Sequence, residues 1–377
     1  MILTVIIFLI GLRPFIASLA FPYEHLFFSI LLFSFLACWL IRHIKTSGTA
    51  GLLPLPLACW LFCLIVTSAL AGDRAASLES LFQYVIGAML FVFAFSLPRV
   101  QAHKTVSMLV WAAVLISGMA VYQYLFGFRH LGAYIAQGHK ASSFAMDYIR
   151  QRRAFLPFVT PNILGGYLAM LLPLAFTHSR GFFWRTIIIF AALILTRSLG
   201  ALSALSVALL VYRLVRGKIK PSRLFLVAAI MLVAAAAIFI WRSTGTQEHL
   251  TPSYSASKRV YYWKETLEII KRSPLTGVGP GNFNLRYSRY AHNSFLQIWA
   301  ETGLAGLLSL FWLIFWSLRK GGEKLRGPQR DRLLCALIAS GAAFLTDNCF
   351  SFGFFLPEVS AVWWVVLGLS AAYPKNT

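Results

Sequence analysis

Apolar runs of roughly 15–23 residues recur from one end of this 377-residue chain to the other, and they constrain its fold more than any other feature. A helix of ~20 apolar residues crosses the hydrocarbon layer of a bilayer with its backbone polar groups satisfied internally. Twelve such segments are predicted, at about 1–21, 26–42, 52–70, 78–98, 105–126, 161–179, 184–197, 199–215, 223–241, 294–318, 333–350 and 354–372. The expected fold is therefore all-α and polytopic, with about 12 transmembrane helices in a single integral membrane domain over 1–377. Composition agrees: 59% hydrophobic residues, 12% charged and a mean hydropathy of +0.72 place the chain well beyond the ~45–50% apolar share of soluble domains. No basic residue precedes the first apolar run and no small-residue cleavage site follows it, so it is expected to stay as a span.

Cys38, Cys59, Cys63, Cys335 and Cys349 all fall in or beside predicted spans. They form neither a disulfide framework nor a zinc set, and are read as packing residues. The chain shows no internal repeat and no polar stretch long enough to fold alone.

Basic residues give the orientation. With a cytoplasmic N-terminus, the inner loops and the tail hold 18 of the 34 Lys and Arg residues, concentrated at Arg213 to Arg223 and Arg319 to Arg332. Short loops of this kind follow the positive-inside rule. Both termini are then cytoplasmic, and two long polar intervals lie outside: a basic loop at 127–160 and a large loop at 242–293.

Those outer intervals are themselves basic, against the rule. They carry thirteen Lys and Arg residues, among them Arg152, Arg153, Arg259, Arg286 and Arg289, against four carboxylates. A surface of this sign attracts anionic lipid head groups and concentrates phosphate-bearing ligands. Nucleic acid is not an expected partner on the outer face of a membrane.

Within the second interval, residues 257–273 read as an amphipathic helix. Val260, Trp263, Leu267 and Ile270 form one apolar face, Ser257 caps the start and Ser273-Pro274 ends it. Such a helix lies on the outer leaflet with Trp263 at head-group level, and puts Arg259 in its first turn, where a planar fork meets a phosphate. A structural lid is the competing expectation. The glycines that follow, Gly277, Gly279 and Gly281, have no preceding strand. They are read as tight turns returning the chain toward His292, not as a nucleotide loop.

The interval ends at His292 and Asn293, where a new apolar helix opens. An imidazole with an ordinary pKa near 6.5 can take a proton from a hydroxyl at neutral pH. His292 or Asn293 could equally be a helix cap. Upstream, Arg152 and Arg153 lead through Phe155, Pro161 and Asn162 into the sixth span, and Thr196 to Ala201 separates two short spans with Arg197 at their junction. An arginine there must lie at the surface or face a polar cavity. No clustered carboxylates or histidines have metal-ligand spacing, so neither a metal nor a cofactor is expected. Glu301 and Asp347, in or near apolar spans, are read as hydrogen-bonded helix contacts.

Over roughly 150–318 these segments together resemble the bacterial O-antigen ligase and polymerase superfamily of multispanning, GT-C-like glycosyltransferases. The marks are Phe155 with Pro161-Asn162, the Thr196 to Ala201 turn, Arg259 four residues before Trp263, the glycine string to Phe283, and His292-Asn293 followed by Leu296, Glu301, Gly303 and Gly306. The resemblance implies a metal-independent transferase in the bacterial inner membrane with a periplasmic active site. Its donor would be a glycan on undecaprenyl pyrophosphate, and in a ligase the acceptor would be a sugar hydroxyl of lipid A-core. His292 would be the general base, Arg259 and the turn arginine would hold the pyrophosphate, and Arg152, Arg286 and Arg289 would add to the donor field. Asn293, Trp263 and Glu301 would support the site.

One departure stands out. The family places its turn arginine immediately before the glycine, whereas Arg197 lies three residues before Gly200, where a leucine takes the usual place. Arg197 can fill the role only if the backbone there is irregular, and Arg153 is the expected substitute. Ligase is the favoured activity, then glycan polymerase, then protein O-glycosyltransferase. A twelve-span transporter is the non-enzymatic alternative, disfavoured because the two halves are unrelated in sequence.

Overall fold

The computed structural model describes residues 2–48, 51–138, 143–177, 183–217, 232–233, 235–243, 251–325 and 330–372. Among these residues there is no strand; the fold is a bundle of helices. In chain order they are α1 (Ile2–Leu12), α2 (Pro22–Ser47), α3 (Leu55–Ala69), α4 (Arg74–Phe95), α5 (Arg99–Tyr122), α6 (Phe128–Ala136), α7 (Ser143–Gln151), α8 (Pro161–Ala175), α9 (Phe183–Thr196), α10 (Leu199–Arg216), α11 (Pro252–Arg272), α12 (Ser294–Lys324), α13 (Arg332–Asp347) and α14 (Pro357–Ala372). Residues 235–243 are also helical.

Among the described residues five helices are long and apolar enough to cross a membrane: α2, α4, the continuous stretch Arg99–Ala136, α10 and α12. Shorter apolar helices accompany them, and the chain is a multi-pass membrane protein. Among the described residues the predicted segments coincide largely with helix; most of the ninth, at 223–241, lies outside those residues. Two expectations are corrected. The first segment is not one continuous helix, because α1 stops at Leu12 and a 3-10 turn holds Arg13. That arginine is buried beside Glu358, 3.9 Å away, and the His25 ring, 2.6 Å away, tying the start of the chain to α14. The interval 127–160 is not simply a loop, since α5 runs through a π-turn at Gln123–Gly127 into α6, and α7 follows.

Helix starts follow local chemistry. Proline occupies the first turn of α2, α3, α8 and α11, where its missing N–H costs nothing. Side chains of Asp73, Thr160, Asn293 and Asp331 accept from otherwise orphaned amides at the starts of α4, α8, α12 and α13. Lateral packing brings α8, α9, α10 and α13 together on one side and α3, α4, α12 and α14 on the other, with α13 meeting α14 between them. Apolar side chains gain little by leaving lipid for protein, so close approach must hold such helices together. Gly87 of α4 has no room for a Cβ against Trp364, and Gly368 of α14 has none against the Phe91 carbonyl.

The two ends of the bundle differ. At one end Arg99 pairs with Asp331 at 2.8 Å, Arg330 donates to the Val215 carbonyl at the close of α10, and Lys324 donates to the Ala371 carbonyl. These belong to the basic set assigned to the inner side by charge. The starts of α8, α12 and α14 and the end of α13 come together at the other end, where α11 lies.

Candidate functional site

That second end contains a cavity of about 750 Å3. Among the described residues its walls come from Leu19, from Asp147 to Asn162, from Arg242 and Thr251 to Tyr262, from Tyr287 to His292, and from Phe350 to Phe352. His292, Arg153 and Arg259 all line it, so three residues singled out in the sequence converge from positions more than 130 residues apart.

His292 adopts φ 53°, in the left-handed region that non-glycine residues enter rarely and at a cost. The strain is held by what surrounds it. Asn293 caps α12 by accepting from the Phe295 and Leu296 amides at 3.0 and 3.1 Å, and Ser294 donates to Asn348 Oδ1 at 2.7 Å. The Ala291 amide donates to Gln297 Oε1 at 3.1 Å. Asn293 is thus the helix cap, and the imidazole is left for another purpose. Its ring stacks on Tyr262 (centroids 5.6 Å, 20°) and meets Phe352 edge-on (5.0 Å, 89°). Among the described residues no hydrogen bond engages its nitrogens, so ring contacts orient it while both nitrogens stay available to a ligand. Burial and then the Arg259 charge lower its pKa to about 4, which keeps it neutral and able to accept a proton.

The glycine string explains how the loop is delivered. Val278 and Gly279 amides donate to the Ala300 and Glu301 carbonyls at 2.9 Å, and the Leu304 amide donates to the Pro274 carbonyl at 2.9 Å. This clamps 274–279 onto a kink in α12, where Gly303 has φ 66°. A Cβ on Gly303 would collide with the Leu275 carbonyl and one on Gly277 with the Glu301 carbonyl. Asn282 then bonds Ser77 and Asp73 above α4. The string is a turn-forming staple, as read from the sequence. Replacing Gly303 by alanine is expected to lower stability by at least ~1–3 kcal/mol from backbone strain alone, read as a fall in Tm of the detergent-purified protein.

Arg153 is 4% exposed. Its Nε donates to the Thr196 carbonyl at 2.9 Å and one terminal nitrogen to Asn162 Oδ1 at 2.8 Å. The turn between α9 and α10 is irregular, as its arginine requires, with Arg197 at φ 50°. Yet Arg197 does not line the cavity. Its guanidinium lies 3.4 Å over the Trp241 ring and donates to the Gln151 carbonyl at 2.7 Å. The cation attached to this turn and facing the cavity is Arg153, reaching it from the preceding loop.

Arg259 donates to Ser255 Oγ at 3.3 Å, and among the described residues its buried Nε has no partner. Arg242 and Lys258 also line the cavity, so four cations face Asp147 there. Burial, then Arg242, brings the Arg153 pKa down to about 9, with Arg197 and Arg259 adding to the effect. The guanidinium groups destabilise one another, and an anion between them would relieve that repulsion.

Several expected members stand apart. Arg152 is exposed over the Tyr124 ring, and Arg286 and Arg289 are exposed outside the cavity lining. Trp263 rests 6.4 Å from the Phe350 ring and Glu301 accepts from Gln297 and the Gly281 amide, so both support neighbouring backbone and side chains without lining the cavity. Helix α11 also differs from its expected form. It starts at Pro252, capped by Thr251 in place of Ser257, so Arg259 sits in mid-helix without help from the positive helix end. Val260 and Leu267 are 46% and 41% exposed, while Thr266 and Ile270 are buried. Lining residues not singled out as site residues in the sequence are Arg242, Lys258, Tyr254 and Tyr262, while Asn162, one of the marks of the resemblance, lines the cavity as well. Only the surplus of outer cations hinted at the first two.

Among the described residues no three His, Cys, Asp or Glu side chains come together as a metal site would need. No curated protein sequence matches the chain. Residues 185–311 match the family model described as O-antigen ligase, a stretch that takes in the α9–α10 turn, α11, the glycine staple and the His292 loop. The matched stretch, about a third of the chain, supports the resemblance to the O-antigen ligase and polymerase superfamily.

Proposed function

We propose that this protein is an O-antigen ligase that transfers a glycan from undecaprenyl pyrophosphate to a sugar hydroxyl of lipid A-core. The site opens on the periplasmic side of the bacterial inner membrane, and both termini are cytoplasmic. What carries this reading is one juxtaposition: an imidazole with unengaged nitrogens shares a cavity with Arg153, Arg242 and Arg259. The acceptor hydroxyl gives its proton to a His292 nitrogen as its oxygen bonds to the anomeric carbon. The bond from that carbon to the phosphate oxygen breaks, and undecaprenyl pyrophosphate departs. Arginines placed before the reaction offset the charge that develops on the leaving diphosphate, the role metal ions fill in other phosphate chemistry. The nearby Arg259 charge disfavours the imidazolium, so the proton is released quickly and the base regenerated.

This arrangement sets a pH dependence. Below its folded pKa His292 is protonated and cannot accept, so activity is lost on the acid side as pH falls through that value. In the free protein the value is about 4, and a bound diphosphate offsets the Arg259 field and raises it. The acid limb of kcat/KM, which reports the free enzyme, is expected well below the ordinary histidine value of ~6.5, with the limb of kcat above it. Coincident limbs near 6.5 would contradict the assignment.

The acceptor is decided by reconstitution. Purified protein supplied with the polyprenyl-pyrophosphate glycan alone is expected to give no longer polymer, and to form larger lipopolysaccharide once lipid A-core is added. Lengthening of the donor without lipid A-core would establish a polymerase in its place.

A further inference from the structure

A row of tyrosines leads from His292 out of the cavity. Tyr262 stacks on the imidazole, Tyr261 lies 6.0 Å from Tyr262, and Tyr287 lies 6.3 Å from Tyr261. Tyr287 lines the cavity yet is 63% exposed, so its ring forms part of the rim. Tyr254 lines the cavity too, with the Lys258 ammonium 5.4 Å from its ring.

Helix geometry separates this row from Arg259. At ~100° per residue, Ser255 and Arg259 fall at one margin of the α11 face, Tyr254, Lys258 and Tyr261 at the other, and Tyr262 between them. A ligand held by its phosphates at Arg259, with its reacting carbon at His292, therefore has the tyrosines along its continuation.

We infer that this tyrosine row is a carbohydrate subsite, in which a pyranose ring one or more residues away from the bond being made stacks on Tyr287. The inference rests on the glycosyl-transfer reading above and adds a determinant of glycan recognition to it. The chemistry of the rim selects the class of ligand. A sugar presents a C–H face to an aromatic ring and hydroxyls at its edge, which suits phenol rings interleaved with Lys258 and Ser288. A lipid chain would leave those polar groups unmatched. The same chemistry serves two sources, the glycan of the donor and the core sugars of the acceptor.

The test is steady-state transfer by the full-length protein in nanodiscs, comparing wild type with Tyr287→Ala, Tyr287→Phe and Tyr287→Trp. In one arm the donor carries either one sugar or an oligosaccharide; in the other, lipid A carries either a truncated or a complete core. Tyr287→Ala is expected to raise KM about 3–10-fold for the longer glycan of one arm, with kcat and the short substrates unchanged. The affected arm identifies the source. Phe and Trp are expected to retain wild-type KM, since the ring face is what binds. Equal KM for all substrates in wild type and Tyr287→Ala would overturn the subsite while leaving the transfer reading intact. A phenylalanine variant as poor as alanine would overturn the stacking. If wild type transfers nothing, the transfer reading fails, and saturation-transfer NMR with the delipidated donor glycan and core oligosaccharide decides the subsite. Signals seen with wild type and lost in Tyr287→Ala support it, and their absence from wild type overturns it.

Discussion

His292→Ala is expected to reduce glycan transfer about 10²–10⁴-fold, the usual cost of removing a general base, with membrane insertion and yield unchanged. The variant is expected to fold because among the described residues the imidazole makes ring contacts, to Tyr262 and Phe352, and no hydrogen bond, while Asn293, Ser294 and Gln297 hold the loop through their own hydrogen bonds. Alanine also keeps the burden of a positive φ, so any loss of stability is common to the position and separable from the chemistry. The decisive measurement is the rate of lipid A-core glycosylation by inserted protein of verified Tm. Near wild-type rates would remove His292 from the role of base.

The second large effect separates two arginines that the sequence leaves in competition. Arg153→Ala is expected to reduce use of the pyrophosphate donor by about 10²–10³-fold, the scale on which a single preorganised stabilising group acts. Arg197→Ala is expected to cost much less in kcat and to act through stability, because its guanidinium is spent on Trp241 and the Gln151 carbonyl. Arg153→Lys is expected to recover little, since one ammonium cannot bond the Thr196 carbonyl and Asn162 in the same planar geometry and still face the cavity. Transfer assays of the three variants at saturating and limiting donor would check the order. An essential Arg197 beside a dispensable Arg153 would reverse the assignment. Transfer that persists in strong chelator, as expected where arginines carry the charge, is a simple companion measurement.

The sequence shows the helices well and the site unevenly, for physical reasons. Hydropathy over long runs is a summed signal, so one ill-placed residue seldom hides a helix; Arg13 did shorten the first, because a single buried cation requires its own partners. His292 and Arg259 stand out because polar groups at a membrane boundary are scarce. The face of α11 was misassigned because a helix at that boundary has two non-aqueous sides, protein and lipid, and an apolar stripe does not say which it meets. Phasing on Val260 and Leu267 therefore hid Tyr262 and Tyr254, which line the cavity. Arg242 escaped notice because its importance lies in being near Arg153 and Arg259, a relation between distant segments that no local pattern records.

The walls of the cavity also imply an order of events during synthesis. They are drawn from Leu19 through to Phe352, and the last to emerge from the ribosome, Phe350 to Phe352, supply the ring that meets His292 edge-on. Until α13 and the turn after it have entered the bilayer, the imidazole lacks one of its two aromatic supports and Ser294 lacks Asn348. A chain inserted only as far as α12 therefore holds Arg153, Arg242, Arg259 and His292 without the contacts that complete the cavity wall around the imidazole.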